Sequence, residues 1–228
     1  MMKVISRVFS PFVAPVMLVT LFVSLSVSVT GCSLLPDFSP TERRQFLLAD
    51  TGAENIDSNT EESFAEILLI RYPRASGLVN SHKIVFGRSD IARGSYQYSL
   101  WVDPPPQRFE QILRNRIQAS KLFSGVVTTD SSVLGELQLN SEILEFYHDV
   151  RKEPGEVVVR VRCDLVDLRT RSLMASKEFE SIVVSETYDV DGAVKASVEA
   201  VNKIADEITI WLTSLPEQIN RESQNEEL

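Results

Sequence analysis

The sequence predicts an α+β fold, a two-layer domain in which a mixed, mostly antiparallel sheet carries two amphipathic helices on one face. Three observations lead there. Short apolar stretches of strand character recur between turn signals over residues 42–186, most clearly where Val157, Val159, Val161, Cys163 and Leu165 alternate with Arg160, Arg162 and Asp164. Two stretches, after Asp103 and after Asp191, carry apolar residues at the helical period instead. Two helices with one apolar stripe each cannot cover both faces of a large sheet, but together they cover one.

Ahead of this domain, residues 8–32 form an apolar run. Lys3 and Arg7 precede it, and no acidic residue appears before Asp37. A basic start, an apolar run and small residues before a break make the layout of an export signal. The run ends in Val29-Thr30-Gly31-Cys32, which resembles a bacterial lipobox. The resemblance implies cleavage between Gly31 and Cys32 and lipid, palmitate included, on the cysteine. A transmembrane helix is the competing reading of an apolar run of roughly 20 residues, and a signal cut elsewhere is a third. Pro11 and Pro15 interrupt the start of the run, and Ser24, Ser26 and Ser28 weaken its end.

The expected organisation is therefore a signal over 1–31, a lipidated cysteine and tether over 32–42, the α+β domain over 43–215, and a polar, disordered tail over 216–228. Removal of 1–31 leaves 197 of the 228 residues, enough for one ordinary core. The formal charge of −9 becomes −11 once Lys3 and Arg7 are lost. Such an acidic domain does not bind nucleic acid through counterion release and does not lie on an anionic leaflet by charge. With Cys32 acylated, Cys163 has no disulfide partner, so the core alone holds the fold.

In order, Pro36 and Pro40 keep 33–41 extended. Residues 42–48 read as a short strand, 50–63 as a polar acidic loop, and 65–72 as an apolar strand ended by Pro73. Residues 74–81 connect to strands over 83–88 and 95–101, the latter with Tyr96, Tyr98 and Leu100 on alternate positions. Asp103 before Pro104, Pro105 and Pro106 signals a helix start. The helix presents Phe109, Ile112, Leu113 and Ile117 on one face, and Gly125 can end it. A short strand over 125–129 follows. In the long strand over 134–148, Leu137, Leu139 and Ile143 share a parity that Leu144 and Phe146 break, which predicts a bulge. Pro154-Gly155 turns the chain into the alternating strand, and Arg169–Ser172 turns it again. The closing helix, opened by Asp191, presents Val198, Val201, Ile204, Ile208, Trp211 and Leu212, and Pro216 closes it.

No catalytic constellation emerges. Ser185, His148 and Asp149 lack a nucleophile elbow, and His148-Asp149 at a strand end reads as a solvated turn. The nine glycines are scattered singly, which argues against a phosphate loop. The two histidines, His82 and His148, lie far apart, so no metal or other cofactor is expected. Trp101 has two readings, a core aromatic sealing the sheet against the first helix or an anchor for a partner.

The order of elements resembles the ABC-type transport auxiliary lipoproteins, outer-membrane partners of phospholipid transporters with mammalian-cell-entry-type proteins. The resemblance rests on the lipobox, on Ile67–Pro73, on Tyr96–Pro105 before an amphipathic helix, and on the hairpin around Asp167–Thr170 followed by the helix to Trp211-Leu212. It departs from the family in the long acidic loop 50–63 and in the lack of a glycine at Arg169-Thr170-Arg171. The resemblance implies a non-catalytic lipoprotein on the periplasmic face of the outer membrane. Its partners would be a mammalian-cell-entry-type periplasmic protein, the associated permease and ATPase, and further copies of itself. Tyr96, Tyr98, Trp101, Pro104 and Pro105 are the candidate partner-binding residues. An envelope assembly factor of similar fold is the alternative, and an envelope hydrolase a more distant one.

Overall fold

The computed structural model describes residues 42–52 and 64–226, with the side chains of Ala65 and of residues 217–226 left out. The signal, Gly31, Cys32, the tether to Thr41 and most of the acidic loop lie outside the described residues.

In chain order the elements are β1 (Arg44–Phe46), β2 (Phe64–Ile70), β3 (Arg74–Ala75), β4 (Lys83–Gly87), β5 (Arg93–Trp101), α1 (Pro105–Ser120), β6 (Phe123–Thr128), β7 (Leu137–Asp149), β8 (Glu156–Asp167), β9 (Ser172–Val184) and α2 (Val190–Glu226). All nine strands belong to one mixed sheet built around β7. One edge of β7 is met in turn by β2 at Leu137–Leu139, by β3 at Glu142–Ile143 and by β4 at His148–Asp149, each parallel to it. The other edge pairs antiparallel with β8 along its whole length, and β8 pairs likewise with β9. β6 lies parallel beside β2, β5 antiparallel beside β4, and β1 parallel beside β5.

Both helices pack on one face. α1 buries Phe109, Ile112, Leu113 and Ile117. α2 buries Val201, Ile204, Ile208, Trp211 and Leu212 against β8 and β9. The inward row of β8, from Val157 through Cys163 to Leu165, is buried as its alternation predicts. In β7 the register shifts between Ile143 and Glu145, so Leu144 turns outward while Phe146 and His148 continue the inward row. This is the expected bulge.

Several local readings are corrected. Two residues of the 74–81 connection form β3. α1 is entered through Pro104, whose carbonyl accepts from the N–H groups of Gln107 and Arg108, and no side chain caps it. It ends at Lys121, which takes left-handed φ of 56°, while Gly125 lies inside β6. The side chain of Asp189, not Asp191, caps α2, accepting from the N–H groups of Asp191 and Gly192. Asp191 instead pairs with Arg44. Pro216 does not close α2 but lies within it. Proline removes one helical N–H. Just upstream, the hydroxyls of Thr213 and Ser214 donate to the Ile210 and Trp211 carbonyls.

Candidate functional site

The segment singled out from sequence, Tyr96–Pro105, divides between core and surface. The β4–β5 register jumps from Val85–Ser95 to Lys83–Leu100. The irregularity leaves Gln97 and Tyr98 both exposed and resets the parity, so that Ser99 and Trp101 face inward. The alternation of Tyr96, Tyr98 and Leu100 therefore does not persist along the strand. Trp101 is only 2 % exposed and packs 6.1 Å from the Phe146 ring, so it is a core aromatic. Pro105 is buried, Pro104 partly so, and Tyr98, at 45 % exposure, is the aromatic of this segment open to solvent.

Tyr96 points inward to a polar corner. Its Oη lies 2.8 Å from His148 Nδ1, and Ser185 Oγ lies 3.1 Å from His148 Nε2. His148 is 2 % exposed, which corrects the expectation of a solvated turn. The cause is the β7 bulge, which turns residue 148 inward. Burial pushes the imidazole below its ordinary range, against the opposing pull of the Pro154 carbonyl, Asp149 and Asp189. Burial also pushes the Tyr96 phenol up to about 12, with Asp189 adding to it.

This corner brings Ser185 and His148 together but not Asp149. The Asp149 carboxylate turns the other way and is held by Arg151 at 2.6–3.0 Å, which keeps it below the usual carboxylate range. The group across the imidazole from Ser185 is thus a phenol with a raised pKa. A carboxylate there would orient the ring and stabilise an imidazolium. Ser185 Oγ is itself buried and its N–H is committed to the Gly155 carbonyl. The arrangement suits a structural tie between strand ends. A cleft of about 470 Å³ opens beside it, lined by Arg151, Lys152, Glu153, Pro154, Gly155 and Val184.

Sequence reasoning missed a second buried polar site. Arg116 of α1 is 2 % exposed and donates to Asp206 at 2.7 Å, to Asn202 at 2.7 Å and to Asp50 at 2.8 Å. Asn202 also donates to the carbonyls of Ala49 and Val198. These contacts clamp both helices to the chain after β1. The signal was present, since Arg116 falls between Leu113 and Ile117 on the buried stripe. Among the described residues no group of histidine, cysteine and carboxylates has metal-binding geometry, and no helix is long and apolar enough to cross a membrane.

A family model, the ABC-type transport auxiliary lipoprotein component, matches residues 46–209. The chain belongs to this family. No curated protein matches the sequence. Two solved structures share the fold of this auxiliary lipoprotein. Protein XCC0632 from Xanthomonas campestris is 16% identical with a TM-score of 0.64, covering 70% of this chain and 91% of its own. An uncharacterised protein is 14% identical with a TM-score of 0.58, covering 75% of this chain and 99% of its own. The matched span runs from the end of β1 into α2 and takes in the His148 corner and the Arg116 clamp.

Proposed function

We propose that this auxiliary lipoprotein is a non-catalytic component of an ABC-type phospholipid transport system. On this reading it is exported, cut before Cys32, lipidated there and held on the periplasmic face of the outer membrane. There it docks the periplasmic part of the machinery, a mammalian-cell-entry-type protein with its permease and ATPase. The family match over 46–209 carries the reading, and the Val29–Cys32 box supports the anchor. The buried Ser185–His148 pair, which lacks a carboxylate orienter, supports a binding role over a hydrolytic one. Anchoring raises the local concentration of whatever the domain binds, which is the physical use of a tether.

The test separates anchoring from binding. Cys32→Ala should abolish lipid labelling and leave an unprocessed precursor. The domain behind an ordinary cleavable signal should still capture the periplasmic partner yet fail to restore envelope integrity in a deletion strain. Full restoration at native abundance would show that anchoring is not the mechanism.

A further inference from the structure

β9 is an edge strand. It pairs with β8 on one side, and among the described residues no strand lies along its other edge. At 13 residues it is long for an edge, which ordinarily invites another strand. Beside that edge runs a groove of about 330 Å³ between β9 and α2. Phe179 and Trp211 form its apolar floor, their rings 5.6 Å apart and edge to face. Ile210, 57 % exposed on α2, forms its wall. A strand edge next to an apolar strand–helix groove is the geometry in which extended peptides are bound, with main-chain bonds on the edge and alternate side chains in the groove.

The charges select the occupant. Glu178, Glu180 and Glu207 line the groove together with Lys177. Glu178 is paired with Arg162 and Glu180 with Arg160, whereas Glu207 forms no ion pair among the described residues and is the carboxylate left to meet an incoming cation. The Lys177 ammonium lies 5.1 Å from the centre of the Phe179 ring, so the floor already accommodates a cation over an aromatic face. We infer that the β9 edge and the β9–α2 groove take an extended segment of a partner protein in which basic residues alternate with apolar ones, added as a further strand. This surface is independent of the lipid anchor and would function in a chain whose Cys32 is unmodified.

The experiment uses the full chain in detergent and hydrogen exchange read by mass spectrometry. Two short synthetic peptides are compared, one alternating Lys with Val and one alternating Glu with Val. The basic peptide should slow exchange across 172–184 by about tenfold or more, while β1 and β6, the other edges, stay unchanged. Ile210→Asp, at an exposed position that leaves the core intact, should weaken binding by at least about tenfold. Glu207→Lys should shift preference towards the acidic peptide. The inference is overturned if the basic peptide gives no protection at concentrations on the order of 1 mM, or if both peptides bind alike. It is also overturned if the two variants bind unchanged, or if protein concentration alone protects β9, in which case a second copy occupies the edge.

Discussion

Tyr96 Oη and His148 Nδ1 lie 2.8 Å apart and link β5 to β7 across the intervening β4. Phe86 of β4 sits edge-on beneath the Tyr96 ring, so the bond passes over an apolar step. Its loss leaves a ring nitrogen of a buried histidine without its partner. Tyr96→Phe should therefore cost about 1–3 kcal/mol, read from the denaturant midpoint. A variant as stable as the parent would show that water replaces the phenol.

The same corner predicts an acid response. Burial lowers the His148 pKa in the folded chain, so the folded state favours the neutral ring more than the unfolded state does. The stabilisation is complete above the unfolded value of about 6.5 and is lost progressively as pH falls below it. Denaturation midpoints at pH 7 and pH 5 should differ more for the parent than for His148→Gln. Equal pH dependence in both would place the titration elsewhere.

Arg116 holds three partners with one guanidinium, and its two carboxylates are about a quarter exposed. Water reaches those acids when the arginine is removed, so Arg116→Met should cost about 3 kcal/mol, the low end for breaking a buried pair. Arg116→Lys should recover only part of this, because an ammonium lacks the planar fork that addresses several acceptors at once. Full rescue by lysine would reduce the clamp to a simple charge effect.

Arg171 turns the β8–β9 hairpin with φ of 58°, the conformation a glycine adopts without strain. A glycine would take up this turn without a change of backbone. Arg171→Gly should raise stability by about 1 kcal/mol, measured by thermal or denaturant unfolding. A loss of stability would mean that the arginine side chain contributes more than its backbone strain costs.

These residues also mark what the sequence reveals and what it hides. The inward row of β8 and the stripes of α1 and α2 were legible because alternation and helical period are local properties. The β7 bulge was legible too, as a change of parity at Leu144. Its consequence for His148 is hidden, since a histidine beside an aspartate at a strand end looks like a turn. Strands β2 and β4 were legible, but that they and β3 line up end to end along one edge of β7 left no local signal. Parallel pairing is fixed by contacts between distant residues, and a two-residue strand such as β3 has no periodicity to detect. Arg116 was overlooked because its residue type outweighed its position on the stripe.

The pairing of β1 has a mechanical consequence. This strand is the first element after Glu42, and it holds the sheet through three residue pairs with β5 and the ion pair from Arg44 to Asp191 at the start of α2. Because β1 runs parallel to β5 at the sheet's edge, a pull along the chain ahead of it loads those few hydrogen bonds in shear. The long ladders of β7, β8 and β9 lie on the far side of β4 and β5 and spread the same load over many more residue pairs. The point where the chain enters the domain is therefore its weakest link under tension. If the chain is anchored as proposed, yielding there would lengthen its tether while leaving the β7–β9 ladders and both helices folded.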